Sequence, residues 1–111
     1  MIINFDEKEE QVIKGFKGGK GEFRSRRFDD SEVKIMRNIL PPGSQIGLHT
    51  HTADSEVMYI LKGSITFHCD GNTEIANAGD VHYCPRGHEH YAENLTNEDA
   101  EFIAVVTQMN L

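Results

Sequence analysis

An all-β fold, a sandwich or barrel of short strands, follows from three features of this 111-residue chain. Short β-rich runs recur at regular spacing, turn residues punctuate them, and no segment carries a long helical pattern. The length suits one domain with a modest core. Hydrophobic residues make up 38% and charged residues 26%, with no low-complexity stretch, which excludes a disordered chain.

Residues 1–30 are the least regular and read as an N-terminal segment with an edge strand. Residues 31–111 read as the barrel, within a single domain overall. Residues 6–14 are charge-rich and fit either a short helix or a loose edge segment. Residues 15–21, Gly-Phe-Lys-Gly-Gly-Lys-Gly, form a flexible loop. They lack the spacing and the Ser/Thr of a phosphate-binding loop.

From Phe23 onward strands and turns alternate. Val33–Leu40 sets Val33, Ile35 and Arg37 against Lys34, Met36 and Asn38, and Pro41-Pro42-Gly43 stops it. Residues 56–61 form a β-rich run closed by Lys62-Gly63. In Ser64–Cys69, Ile65, Phe67 and Cys69 alternate with Thr66 and His68. Asp70-Gly71-Asn72 is a hairpin signal, and residues 73–76 continue from it. Gly79-Asp80 turns the chain into Val81–Cys84, which Pro85-Arg86-Gly87 breaks. Residues 88–94 and 102–109 complete the set.

The formal net charge of −7 argues against nucleic-acid or anionic-membrane binding, both of which need a basic surface. The longest apolar run, Val57-Met58-Tyr59-Ile60-Leu61, is too short to span a bilayer. No basic start followed by an apolar stretch marks a signal peptide. The two cysteines, Cys69 and Cys84, stand in no metal or redox spacing and read as small buried hydrophobes in a reduced, cytoplasmic protein.

Chemistry concentrates around His49-Thr50-His51. On a strand these two histidines share one face about 7 Å apart, close enough to converge on one ion. The pattern by itself is common. Glu56 follows after a polar stretch, Thr52-Ala53-Asp54-Ser55, where a hairpin could fold its carboxylate back. His90 lies on a later strand behind a Pro-x-Gly break.

Gly43, five residues, His49, one residue, His51, four residues, Glu56, six residues and Gly63 resemble the first cupin motif. Gly79, five residues, Pro85, one residue, Gly87, two residues, His90, three residues and Asn94 resemble the second, fifteen residues further on. At residue frequencies of about 5–7%, ten matching positions arise by chance in about one alignment in 10¹². The resemblance implies a cupin double-stranded β-helix, or jelly-roll barrel, with a metal near one mouth. It implies His49, His51, Glu56 and His90 as ligands, the glycines and Pro85 as turn residues, and Asn94 as a structural residue. Such a ligand set suits one divalent transition metal ion, Fe, Mn, Ni, Cu or Zn. Three neutral imidazoles and one carboxylate leave a local charge near +1, which favours an anionic small molecule.

Other residues offer supporting roles. His88, two before His90, could sit at the barrel mouth or lie exposed beside Gly87. His82 shares a strand face with Cys84, and Tyr83 with Val81; whichever faces inward is a candidate proton donor. His68 alternates away from its strand's apolar set and reads as structural or exposed. Among Lys17, Lys20, Arg24, Arg26 and Arg27, Arg24 and Arg26 share a face from which they could reach a bound anion. The plainer reading is an edge strand guarded by charge.

Two functions compete. One is an enzyme acting on a small polar or anionic molecule, as the dioxygenases, decarboxylases and isomerases among cupins do. The other is a metal-dependent metabolite-binding or sensor module without catalysis. A metal-stabilised structural role fits an intact site least. A homodimer is expected, because apolar residues occupy both faces of residues 56–61, with exchange of residues 23–28 between chains.

Overall fold

The computed structural model describes residues 1–108, so the last residue expected in the final strand, 109, lies outside the described residues. In chain order the strands are β1 (Gln11–Lys14), β2 (Glu22–Asp29), β3 (Val33–Leu40), β4 (Gln45–Thr50) and β5 (Asp54–Lys62). They continue with β6 (Ser64–Cys69), β7 (Asn72–Asn77), β8 (Val81–Cys84), β9 (Glu89–Glu93) and β10 (Ala100–Gln108). All pairings are antiparallel. The larger sheet runs β1-β2-β3-β10-β5-β8 and the smaller β4-β9-β6-β7. This is the jelly-roll architecture that the motif resemblance implied.

Alternation decides which side of each strand is buried. On β3 the inward set is Met36, Asn38 and Leu40, not the Val33–Ile35 pair. On β5 Met58 and Ile60 point inward, and Val57, Tyr59 and Leu61 outward. The core is closed by Leu40, Ile60, Ile65, Phe67 and Phe102, all fully buried. The Asp70-Gly71 turn joins Cys69 to its partner Asn72. Both turn residues have positive φ, 51° and 83°, the backbone a two-residue hairpin turn of this hand requires.

The charge-rich residues 6–14 become a 3₁₀ turn at Phe5–Glu7 followed by β1 at the sheet edge. The glycine-rich loop carries a second 3₁₀ turn, Phe16–Gly18, and lies backbone to backbone on β4. A Cβ on Gly47 would stand 2.0 Å from the Lys17 carbonyl oxygen, and one on Gly19 would stand 2.2 Å from that of Gln45. Only glycine permits this approach. It seats the Phe16 ring on Phe23, with centroids 5.0 Å apart. Within one chain β2 pairs with β3 from Arg24↔Ile39 to Asp29↔Lys34.

Asn94, fully buried, is structural as expected. Its amide donates to the carbonyls of Leu40 and Glu98 at 2.8 and 2.7 Å, and its oxygen accepts from the backbone N–H and the hydroxyl of Thr96. Among the described residues no helix is long and apolar enough to cross a membrane.

Candidate metal centre

The four expected ligands come together from both sheets. His49 on β4 stands opposite His90 on β9 in the smaller sheet, whereas Glu56 lies on β5 of the larger one. The turn between His51 and Glu56 is therefore a crossover from one sheet to the other. The hairpin suggested by Thr52-Ala53-Asp54-Ser55 does not form, because β4 and β5 do not pair. Glu56 meets the histidines from across the barrel.

Local irregularity aims the histidines. The β4–β9 register shifts between Ile46 and His49, so that Ile46 and His49 both look inward while Leu48 is exposed. A regular strand starting at Ile46 would have put His49 outside; a bulge reverses its face. His51, just beyond β4, is held by the loop preceding β9. Its N–H donates to the His88 carbonyl at 3.1 Å, and Gly87 N–H donates to its carbonyl at 2.7 Å.

The ligand atoms are close. His90 Nε2 lies 3.0 Å from both His51 Nε2 and His49 Nε2. Glu56 Oε1 is 3.2 Å from His51 Nε2 and 3.1 Å from His90 Nε2. Ligands about 2.1 Å from one ion and at right angles to each other are separated by about 3.0 Å, so the spacing fits a transition metal.

The outer partners fix which ring nitrogens carry protons. His49 Nδ1 donates to the Gly47 carbonyl at 2.7 Å, and His51 Nδ1 to the Asp54 carboxylate. His90 Nδ1 lies 3.0 Å from His82 Nε2, and His82 Nδ1 lies 3.1 Å from Glu74 Oε1. Because Glu74 takes the His82 Nδ1 proton, His82 Nε2 accepts and His90 Nδ1 donates. Each neutral ligand ring thus turns a bare Nε2 toward the others. Glu56 Oε1, buried with no hydrogen-bond donor among the described residues, joins them. Four acceptors facing one point repel one another; a cation among them removes the conflict.

Burial pushes the Glu56 carboxyl upward, but His51 and His90 outweigh it and hold its pKa at about 2. Burial lowers His49 and His82, keeping both neutral, whereas contact with Glu56 raises His51.

None of the three proposed proton carriers lies on the wall of the adjoining cavity. Tyr83 and Val81 face outward, and His82 and Cys84 inward. His82 sits behind His90, its ring stacked on Phe67 at 3.8 Å. His88 is surface-exposed and bound to Asp70 on the β6–β7 turn. His68, on the outer face of β6, donates to Glu93 at 2.7 Å and stacks on Tyr91. Burial pushes the Cys84 thiol up to about 12, so it stays protonated.

Of the basic residues on β2, Arg24 pairs with Glu22 and Arg26 with the Lys8 carbonyl. Arg27, on the opposite face, reaches the cavity. Sequence reasoning passed over Asp54, Glu74 and Arg27. Asp54, three residues from His51, was within local reach; the other two depend on pairing between distant strands.

The family model for the cupin domain matches residues 36–106. The chain is 37% identical over 112 residues to an oxalate-binding protein of Thermotoga maritima, across 96% of this chain and 93% of that protein. A crystal structure from Thermotoga maritima, described as a predicted oxalate decarboxylase, superposes with a TM-score of 0.91 at 35% identity, covering 98% of this chain and all of that one. The oxalate decarboxylase OxdC of Bacillus subtilis is 31% identical over 88 residues, 69% of this chain but 23% of that longer protein. With both motifs in place, four convergent ligands and a matching barrel, the chain belongs to the cupin family.

Proposed function

We propose that this protein binds a small dicarboxylate of the oxalate type through one divalent metal ion held by His49, His51, Glu56 and His90. One observation carries the reading. The ligand group opens onto a cavity of about 300 Å³ whose remaining charged lining is Lys17, Arg27, Lys34 and Asp54, so cations outnumber anions on the rest of the wall. The bound ion supplies the positive charge to which carboxylate oxygens attach. Two relatives whose names refer to oxalate support the same chemistry.

Binding is favoured over turnover by the state of the acids. Among the described residues lining the cavity, the carboxylates are Glu56 and Asp54. The first belongs to the ligand group and the second is engaged by His51. No uncommitted carboxylate therefore stands on this wall, among the described residues, to carry a proton in a reaction. Calorimetric titration of manganese-loaded protein with oxalate should show about one site per chain, abolished by chelator, with oxalate concentration unchanged over hours. Absence of binding at millimolar oxalate would overturn the proposal. Steady release of formate and carbon dioxide would replace binding with catalysis.

We also propose a homodimer in the cytoplasm. Support comes from the outer face of the larger sheet, where Val57 opposes Tyr83 and Tyr59 opposes Val81, all four exposed. A second copy of the same apolar stripe is a self-complementary cover for it. The two free thiols suit a reducing compartment. Light scattering should give about twice the 12.5 kDa chain mass; Tyr83→Lys should halve it, and a monomeric wild type would defeat the idea.

A further inference from the structure

The cavity has a second polar pole, away from the metal ligands. Asn38 is 1% exposed, yet neither its Oδ1 nor its Nδ2 has a hydrogen-bond partner among the described residues. Arg27 Nη2 is likewise buried and unpartnered. Both residues line the same cavity as His49, His51 and Glu56. Their positions are neighbouring: Ser25 pairs with Asn38 across β2 and β3, and Arg27 Nε donates to Ser25 Oγ at 3.2 Å. The guanidinium thus leans back over the Ser25–Asn38 pair.

A barrel interior is an expensive place for such groups. An unpaired buried amide and a buried guanidinium nitrogen each destabilise the fold unless something pairs with them. Neither serves the metal ligands. Across the larger sheet, Arg27 is level with Met36, Ala104 and Met58. That places it three strands away, in the order of the larger sheet, from the strand that carries Glu56. Arg27 and Asn38 thus stand on strands that carry none of the four metal-site residues.

The volume agrees. At about 30 Å³ per water, a cavity of this size corresponds to about ten waters, whereas oxalate, with six heavy atoms, displaces only about three or four.

We propose that Arg27 and Asn38 are specificity residues that hold the far carboxylate of a dicarboxylic acid longer than oxalate, whose near carboxylate lies at the metal position. The guanidinium and the amide N–H donate to the far carboxylate oxygens. The amide oxygen is left to accept from a hydroxyl on the ligand, so a hydroxylated acid fits the pole best. This rests on the metal-dependent anion binding proposed above and names the ligand class of that same site.

The test uses manganese-loaded full-length protein, titrated with oxalate, malonate, succinate and malate. At least one longer acid should bind more tightly than oxalate. Arg27→Gln should weaken that acid at least tenfold more than it weakens oxalate, with metal content unchanged; Arg27→Lys should restore part of the loss. Asn38→Leu removes an unpaired polar group, so it should weaken the longer acid while leaving the melting temperature equal or higher. If oxalate binds and no longer acid does, or if Arg27→Gln leaves every acid unaffected, the far pole is wrong and the metal-site reading survives. If no acid binds to the metal-loaded protein, both fall.

Discussion

Replacing His82 with phenylalanine isolates the contact that aims His90. The His82 ring stacks on Phe67 at 3.8 Å and 9° between planes, so phenylalanine keeps the packing and deletes the acceptor for His90 Nδ1. His90 is 1% exposed, and no water can replace the lost partner without disturbing the core. Leaving a buried N–H unpaired costs about 1–3 kcal/mol.

Metal-free protein can avoid most of that cost. The His90 proton moves to Nε2, which is 3.1 Å from Glu56 Oε1 and can donate to it there. Metal binding must reverse the shift, because the ion needs the bare Nε2. The penalty therefore falls on the bound state, and metal affinity should drop roughly 5- to 150-fold at about 1.4 kcal/mol per factor of ten. Competition titration of manganese or zinc against a chromophoric chelator measures it, with thermal melts confirming that the barrel is intact. Glu74→Gln should do far less, because the Glu74 side chain is 66% exposed and water takes over its role. An affinity for His82→Phe within threefold of wild type would refute the assignment of protons on these rings.

His51→Ala should abolish or strongly weaken metal binding, whereas His68→Ala, which loses contacts to Glu93, Thr73 and Tyr91 away from the ligand group, should not; equal metal content in both would show the wrong histidines were chosen. Metal should dissociate as pH falls, because each imidazole must be deprotonated to bind. His51, with its raised pKa, takes up a proton at higher pH than His49, whose pKa is lowered; retention of metal well below the histidine range, measured by elemental analysis after gel filtration, would contradict the ligand set. Gly47→Ala puts a methyl group 2.0 Å from the Lys17 carbonyl oxygen and should cost about 1–3 kcal/mol by lifting the loop. The melting temperature should fall by several degrees, with metal binding weakened through the displaced Gly47 carbonyl that orients His49. An unchanged melt would mean the loop does not rest there.

The strands and the ligands were legible for local reasons. Alternation within Ser64–Cys69, the Asp70-Gly71 turn and the breaks at Pro41-Pro42-Gly43 and Pro85-Arg86-Gly87 all act over a few residues. They act the same way whatever surrounds them. The ligand set was legible because its spacing matches a family pattern; His49, His51, Glu56 and His90 carry it in their order and separations. The crossover between His51 and Glu56 was not legible, because a polar stretch of four residues serves a hairpin and a change of sheet equally well. Sheet membership is set by β5 pairing with β10 and β8, contacts made by distant parts of the chain. The inward face of β2 was not legible for a related reason. Five of its eight residues are charged and two are apolar, so period-two patterning could not show that Ser25 and Arg27, rather than Arg24 and Arg26, look into the barrel.

Composition, turn chemistry and motif spacing, read without any structure, determined that this protein is an all-β cupin barrel with a three-histidine, one-glutamate ligand group. Each of those properties is local in sequence or recorded in residue order. Tertiary structure alone decided that His82 and Glu74 stand behind His90, that a register shift between Ile46 and His49 turns His49 inward, and that Arg27 and Asn38 share a cavity with the ligands. Those relations arise from register between strands far apart in the chain. A shift of one residue in any pairing would turn every side chain on that strand to the opposite face.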